Sequence, residues 1–178
     1  MMSTVSIPET LQSLRQHASE RFTALGWPTT RLEEWKYTSL APVAKVQWRA
    51  ADGAAAVPPD VTARLAGRAA VELVFVNGRF AEMNGAGEDT RAPKLVVTNI
   101  ASAGAAVEEH LGKYADVERQ AMVALNTSQF VDGALIEVPA GQVVEGFIHL
   151  LFIGNGDGIW SHPRNLIVAG PNSQVTGV

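Results

Sequence analysis

The residue types best suited to chemistry lie in a glycine-rich loop and in the turn that follows it. The loop is Gly154–Gly158, and Trp160 and His162 lie between it and Pro163. A loop that cradles phosphate opens into a helix whose N-terminus faces the anion, and the P-loop adds a lysine. An apolar, strand-like segment follows this loop instead, so its sequence does not favour nucleotide binding. Asp157 also lacks the further carboxylates of a calcium-binding loop.

Asp157, Trp160 and His162 nevertheless define an alternative function for the chain. An acid, an aromatic ring and an imidazole along a groove between strands could hold a sugar or another small ligand, or support a reaction on it. The alternative prediction is therefore a small β-rich ligand-binding or enzymatic module with a groove near these three residues.

The other ionisable residues do not combine into a catalytic or metal-binding set. His149 alternates with apolar residues, a pattern typical of a packed, hydrogen-bonded histidine. Glu33 and Glu34 are adjacent, and neighbours on a helix point about 100° apart, so their carboxylates do not converge. His110 follows Glu108–Glu109 without partners at the spacing that a metal site needs. We therefore predict no catalytic, cofactor-binding or metal-binding residue, and no enzymatic activity.

The composition limits the class of protein and its partners. The chain has 178 residues, of which 47% are hydrophobic, so it can bury a core as one domain or two small ones. Its net charge of -4 argues against non-specific nucleic-acid binding, which needs a basic surface. There is no cysteine, which excludes disulfides and thiolate chemistry and suits a reducing compartment. With no signal peptide or membrane-spanning run apparent, we predict a cytoplasmic protein without nucleic-acid or membrane partners.

The elements that position these residues are predicted to be strands at the C-terminal side. Four apolar runs are bounded by glycine and proline, and they span residues 134–139, 147–154, 164–170 and 174–178. Their spacing suits either a sandwich or a coiled β-helix whose rungs stack on one another.

The preceding part of the chain is predicted to be helical and then mixed. Asn77-Gly78 lies between β-prone runs and predicts a hairpin over residues 71–81, because both turn residues adopt positive φ. Three regions result: a helical region over 1–50, a mixed α/β segment over 51–130 and a strand-rich region over 131–178. Further predicted elements are helices at Ser6–Gly26, Thr30 to before Pro42, Asp60–Gly67, Ser102–Lys113 and Asp116–Leu125, a linker at Ala50–Pro59 and a strand at Lys94–Thr98.

Several stretches, in order along the chain, resemble a known family. Thr30–Thr38 reads Thr-Arg-Leu-Glu-Glu-Trp-Lys-Tyr-Thr and resembles the N-terminal signature of the SufD family, scaffold subunits of the SUF iron–sulfur cluster assembly system. Phe75–Phe80 resembles the hairpin that follows this signature. The remaining similarities concern the start of the family's β-helix and a later rung, and they lie at Leu125–Thr127, Asp132–Gly133, Pro139–Gly141 and Pro163–Val168.

The resemblance implies a fold and a set of partners. The implied fold is α+β: a helical N-terminal region with a β-hairpin, leading into the first rungs of a right-handed parallel β-helix. The implied function is that of the N-terminal portion of a SufD-like scaffold, docked with SufB-like and SufC-like subunits. In the family, the residues proposed to hold the cluster and to dock the ATPase lie in the C-terminal half, so no ligand is transferred to this chain. The complex, not this fragment, is expected to handle the cluster, which is ordinarily bound by thiolates.

The length of the chain leads to one more expectation. The family is longer than this sequence, and Val175–Val178 ends in what reads as mid-strand. We therefore predict a truncated N-terminal fragment. A bare terminal rung offers unpaired backbone groups to another strand, so self-association through the open end is also predicted.

Overall fold

The structure, a computed structural model, describes residues 9–51, 53, 56–57, 69–85 and 95–178. Within these ranges the fold is α+β, with helices both before and between strands that form three small sheets. The helices are α1 (Glu9–Leu25), α2 (Ala41–Ala44), α3 (Ala105–Glu108) and α4 (Ala121–Gln129), with 3₁₀ turns at Glu33–Trp35 and Ile100–Ser102. The strands are β1 (Arg49–Ala50), β2 (Val71–Val76), β3 (Arg79–Gly85), β4 (Val96–Asn99), β5 (Ala134–Val138), β6 (Ile148–Ile153), β7 (Ile159–Trp160) and β8 (Leu166–Ala169).

The first helix follows its predicted apolar stripe and packs against α4. Ala18, at the centre of the stripe, is fully buried with Ala124 of α4 in one apolar cluster. Arg15 Nε donates to the carbonyl oxygen of Ser128 at 3.2 Å, which fixes α4 along α1. Gly26 ends α1 with a φ of 68°, as its position predicts. The predicted helix start at Ser6 lies outside the described residues.

The prediction of a helix that starts at Thr30 and ends before Pro42 is wrong. The chain forms a single 3₁₀ turn at Glu33–Trp35, and Leu32 before it is extended and caps nothing with its side chain. The hydroxyl that approaches the backbone is that of Thr29, which accepts from Arg31 N at 3.4 Å and tightens a turn instead of starting a helix.

The other predicted helices are shorter or displaced. α3 covers only part of Ser102–Lys113, and α4 begins at Ala121, five residues after the predicted start at Asp116. The reason is that Asp116 Oδ1 accepts from the backbone N–H groups of Glu118 and Arg119, at 3.0 and 3.2 Å, and so caps a separate turn. The helix predicted at Asp60–Gly67 lies outside the described residues, as does much of the predicted linker.

The predicted hairpin is confirmed. β2 and β3 pair antiparallel around Asn77 and Gly78, whose φ values are 51° and 78°. β2 is buried along its whole length, because β6 pairs with its other edge in parallel, Val71 opposite Ile148 and Val76 opposite Ile153. The hairpin therefore joins the C-terminal strands instead of standing alone.

The C-terminal strands pair in parallel, and the paired residues have a nearly constant separation in the sequence. β5 pairs with β8, Leu135 opposite Leu166, and a further bridge joins Val143 to Gln174. Both pairs join residues that are 31 positions apart in the sequence. The chain therefore returns beside itself after 31 residues, and we call each such turn of the chain a circuit. No closed barrel occurs among the described residues. The C-terminal strands thus pair in parallel within small sheets.

The core fills the space inside this circuit. Residues of β2, β5 and β6 form one buried cluster, in which Phe75, Ile136 and Ile148 are at most 1% exposed. Phe152 stacks on Phe75 with ring centroids 5.1 Å apart. A second cluster joins Leu135 and Leu166 to the segment around Ile100 and so covers the outer face of β5.

Candidate functional site

Asp132 is the most heavily hydrogen-bonded carboxylate among the described residues. It lies between α4 and β5 and is 5% exposed. Its oxygens accept from the backbone N–H groups of Phe80, Ala101 and Gly133, at 3.1, 3.1 and 2.9 Å, and from Asn99 Nδ2 at 3.0 Å. The donors come from the hairpin, β4 and the 3₁₀ turn after it. One carboxylate thus joins three separate segments, and we name this group the Asp132 junction.

The donors of the Asp132 junction determine what it can do chemically. A carboxylate that accepts four hydrogen bonds has its lone pairs occupied, and burial prevents a substrate from reaching it. A metal site needs further ligands, and none of the described His, Asp and Glu residues form a group of three that could hold one. The junction is therefore a structural centre.

The backbone next to Asp132 is packed against the following circuit of the chain. Arg164 N donates to the carbonyl oxygen of Asp132 at 3.1 Å, and Asn165 Oδ1 accepts from Ala134 N at 2.9 Å. Gly133 lies so close that a Cβ placed on it would be 1.9 Å from the carbonyl oxygen of Arg164. Only glycine fits at this contact.

Side chains of α4 hold the same turn from the other side. Asn126 Nδ2 donates to the carbonyl oxygen of Pro163 at 3.0 Å. The Arg164 guanidinium donates to the hydroxyl of Thr127, and burial lowers the pKa of Arg164 from its ordinary value. Arginine remains charged in proteins, so this side chain is a fixed structural cation.

A second pair of polar residues fixes the glycine-rich loop. Asn77 Nδ2 donates to the carbonyl oxygen of Asn155 at 2.9 Å, and Asn155 N donates back to Asn77 Oδ1 at 2.8 Å. The loop predicted to be a turn is therefore held by the hairpin turn. The loop leads into β7 and not into a helix N-terminus.

The three residues of the alternative site are only partly brought together. Trp160 and His162 meet edge to face, with ring centroids 4.9 Å apart. They line a cavity of about 30 Å³ together with Asn77 and Arg79. Asp157 is exposed in the loop and does not line this cavity. The volume corresponds to about one water molecule, which is too small for a sugar.

His162 is the one group at this cavity whose ionisation the structure shifts. Its Nε2 is buried without a hydrogen-bond partner among the described residues, and burial lowers the pKa of His162 from 6.5. The folded protein therefore prefers the neutral imidazole, whereas the unfolded chain takes up a proton as the pH falls below about 6.5. Its stabilising contribution is present above that pH and is lost below it.

We expect the His162→Gln variant to show a flatter loss of stability in acid. Urea unfolding midpoints measured from about pH 8 to about pH 5 should fall less in the variant than in the parent, because the variant has no imidazole to protonate. The difference between the two proteins at about pH 8 reports packing alone and serves as the internal reference. Parallel curves over the whole range would contradict the role assigned to His162.

Glu72 and His149 form a buried pair in the hairpin sheet. Glu72 Oε2 lies 2.7 Å from His149 Nδ1, and Asn84 Nδ2 donates to Glu72 Oε1 at 3.3 Å. A carboxylate beside an imidazole resembles a general-base pair. Glu72 is 6% exposed and His149 is 9% exposed, however, so no substrate reaches them. The prediction that His149 is a packed, hydrogen-bonded histidine is confirmed.

The remaining candidates stay apart from one another. Glu33 pairs with Lys36 at 2.9 Å on the surface. His110 contacts Tyr114, with 2.8 Å between its Nδ1 and the phenol oxygen. No described helix is long and apolar enough to cross a bilayer.

A cleft of about 480 Å³ opens in the described surface. It lies between the end of α1, the turn at Glu33–Trp35 and the start of α4, and its apolar lining includes Leu25, Leu32 and Met122. Tyr37 is 91% exposed beside this turn. The segment Thr30–Thr38 thus lies on the surface, whereas β2 of the hairpin and the Asp132 junction are buried.

The comparison with known protein families decides the identity of the chain. Residues 2–150 match the SufBD protein N-terminal region. The chain belongs to the SufBD family. The more specific assignment to SufD rests on the resemblance of Thr30–Thr38 and the later stretches alone.

A SufBD relative agrees with this result. The chain is 31% identical over 178 residues to the "Iron-sulfur cluster assembly SufBD family protein slr0076" of Synechocystis sp. (strain ATCC 27184 / PCC 6803 / Kazusa). The match covers 93% of this chain and 38% of the relative. The chain therefore spans less than half the length of that SufBD protein.

The positions that carry the resemblance are structural in this SufBD chain. Asn77 binds the glycine-rich loop, Asp132 and Gly133 form the junction, and Asn126 and Arg164 tie α4 to the following circuit. Sequence reasoning missed the role of Asp132, although the Asp-Gly step directly before a strand was a visible signal. It also missed Glu72, whose partner is 77 residues away.

Proposed function

We propose that this chain is the N-terminal portion of a SufD-like scaffold and takes part in iron–sulfur cluster assembly. The observation that carries the proposal is the SufBD match over residues 2–150. The relative's name assigns that protein to cluster assembly, and the same role is proposed here. The iron–sulfur cluster is the cargo of the system and is not a resident cofactor of this part of the chain.

The proposed mode of action is docking without catalysis. The buried carboxylates described above are either saturated by their own hydrogen bonds, as at Asp132, or closed to substrate, as at Glu72 beside His149. A chain that lacks cysteine also lacks the ligand that iron–sulfur clusters ordinarily use. The proposed partners are SufB-like and SufC-like subunits, in the cytoplasm, without nucleic acid or membrane.

The proposed architecture for this function is the start of a right-handed parallel β-helix. The support is the return of the chain after 31 residues at both Leu135–Leu166 and Val143–Gln174. Consecutive circuits in such a fold bury one continuous core, as the stacking of Phe152 on Phe75 does here. The helical region and hairpin then close one end of the stack.

The docking proposal is tested by affinity capture. The tagged chain is mixed with the SufB-like and SufC-like proteins of the same genome, and the retained proteins are quantified. We expect the SufB-like protein to be retained, alone or with the SufC-like ATPase. The far-ultraviolet circular dichroism of the same preparation verifies that the bait is folded. A folded bait that retains neither protein would contradict the proposal.

The alternative module near Trp160, His162 and Asp157 makes a different prediction. It requires a ligand whose binding is lost in the Trp160→Ala, His162→Ala and Asp157→Ala variants while thermal stability is kept. The cavity of about 30 Å³ and the absence of Asp157 from its lining argue against a small-molecule site there. The docking function is therefore favoured.

A further inference from the structure

The glycine-rich loop Gly154–Gly158 contains two neighbouring residues, Asn155-Gly156, that can react with each other. The side-chain amide carbon of an asparagine lies within reach of the backbone nitrogen of the next residue, which can attack it and expel ammonia. A following glycine favours this attack, because it has no Cβ to shield the nitrogen and it leaves the backbone free to turn. The sequence contains three such pairs, the others being Asn77-Gly78 and Asn84-Gly85. The surroundings of the three pairs differ, and the difference determines which of them can react.

The pair at the hairpin turn is protected by its own hydrogen bonds. Asn77 is only 7% exposed. Both ends of its side-chain amide are bonded to the backbone of Asn155, Nδ2 as a donor at 2.9 Å and Oδ1 as an acceptor at 2.8 Å. The amide of Asn77 therefore turns toward the nitrogen of Gly78 only after both bonds have opened.

The second pair lies in the paired strand β3. Asn84 is opposite Glu72, and Gly85 is opposite Val71, in the antiparallel ladder with β2. Asn84 Nδ2 donates to the carboxylates of Glu72 and Glu82, at 3.3 and 3.1 Å. The strand pairing and these two acceptors hold the amide of Asn84 in place, so attack by the nitrogen of Gly85 also requires local opening.

The third pair lies in the loop between β6 and β7 and is not held in this way. Asn155 is exposed, and only its backbone atoms take part in the bonds with Asn77. In the described part of the chain, the Asn155 side chain makes no hydrogen bond and Gly156 N donates none. The carbon to be attacked and the attacking nitrogen are thus both free of competing bonds.

We propose that Asn155 is a site of spontaneous deamidation, in which Gly156 supplies the nucleophile. The nitrogen of Gly156 gives its proton to water or hydroxide and bonds to Cγ of Asn155, and the side-chain nitrogen takes up a proton and leaves as ammonia. A water molecule then opens the cyclic imide at either of its carbonyl groups and yields aspartate or isoaspartate. The net reaction consumes water and releases ammonia, and it needs no enzyme and no oxidant.

The product alters the contact between the loop and the hairpin turn. Aspartate at position 155 adds a negative charge close to Asp157, which is exposed in the same loop. Isoaspartate adds a methylene to the main chain and so displaces the carbonyl oxygen that accepts from Asn77 Nδ2 at 2.9 Å. Deamidation therefore loosens the loop from the hairpin turn, whether or not the chain docks with SufB-like and SufC-like subunits.

The test is peptide mapping by mass spectrometry after incubation of the folded chain at about pH 7 and at about pH 9. Conversion should be faster at the higher pH, because the backbone nitrogen attacks after losing its proton. Asn155 should convert at least about tenfold faster than Asn77 and Asn84, because only the latter two must first break native hydrogen bonds. Each converted peptide gains the mass difference between a hydroxyl and an amino group.

The unfolded chain is the internal reference. In urea above the unfolding midpoint, the three asparagines should convert at similar rates, because each is followed by glycine and none keeps its native contacts. Asn155→Gln is the matched variant, since its longer side chain needs a larger ring for the same attack. It should lose the fast-forming acidic product on anion exchange and keep the Tm of the parent.

Three results would overturn the proposal. One is equal conversion of the three asparagines in the folded chain, and another is faster conversion of Asn77 or Asn84 than of Asn155. The third is an Asn155 that stays intact in the folded chain over the time in which the unfolded chain reacts.

Discussion

Replacing Asp132 by alanine is expected to lower the free energy of unfolding by about 3–5 kcal/mol. The variant removes the acceptor of the backbone N–H groups of Phe80, Ala101 and Gly133 and of the Asn99 side-chain amide. These donors are buried or partly buried, and a donor left without an acceptor costs about 1–3 kcal/mol unless water replaces the lost oxygen. Urea unfolding followed by circular dichroism measures the change.

Two variants make this prediction specific. Asp157→Ala removes an aspartate that is exposed in the glycine-rich loop, and it should change stability by less than about 0.5 kcal/mol. Asp132→Asn keeps the shape but turns one acceptor into a donor that faces other donors, so its stability should fall between that of the parent and that of Asp132→Ala. Equal stability of Asp132→Ala and Asp157→Ala would show that the junction does not hold the three segments together.

Gly133→Ala is expected to destabilise the chain by about 3 kcal/mol or more, mainly through steric overlap. The added Cβ would lie 1.9 Å from the carbonyl oxygen of Arg164 and 2.5 Å from its carbonyl carbon. Both atoms belong to the backbone, so no side chain can move to make room. The chain must separate the start of β5 from the turn that leads into β8. A fall in Tm of about 10 °C, measured calorimetrically, is the expected result.

Gly154→Ala provides the control for this substitution. A Cβ on Gly154 meets no atom within 4 Å, and its backbone does not require positive φ. The variant should be neutral or slightly stabilised, because alanine restricts the unfolded chain more than glycine does. Equal behaviour of Gly133→Ala would contradict the close contact between Gly133 and the backbone of Arg164.

Local signals predicted some elements of the fold correctly. The hairpin was predictable because Asn77-Gly78 determines its own backbone conformation. The helix from Thr30 was not, because Thr29 competes for the backbone and Leu32 stays extended. The turn capped by Asp116 displaced the start of α4 for a similar reason. The capping patterns at Thr30 and Asp116 thus predicted the starts of helices less accurately than Asn77-Gly78 predicted the hairpin turn.

The tertiary arrangement depends on pairs far apart in the sequence. The periodicity of the C-terminal strands left a sandwich and a stacked coil both open. The parallel register of Leu135 with Leu166 distinguishes them only in part, and a pattern in one strand cannot show its partner 31 residues away. Asp132 is a similar case, because its acceptor role depends on donors from residues 80, 99 and 101. The resemblance identified these positions but not what they do.

The placement of the family-like residues bears directly on the proposed function. A scaffold needs a rigid body to present its docking surface, and the Asp132 junction joins the hairpin, β4 and the strand stack into one. The surface segment Thr30–Thr38 borders the cleft of about 480 Å³. The interior residues therefore support the shape of the protein, and the exposed ones remain accessible to partners.

The central claim is that the chain serves cluster assembly by docking and does not itself hold the cluster. The most direct measurement is its iron and sulfide content after anaerobic reconstitution with ferrous iron and sulfide, followed by desalting, with the SufB-like protein treated in parallel. We expect no retained iron or sulfide on the isolated chain. Retention of about one cluster per folded chain, with matching visible absorbance, would contradict it.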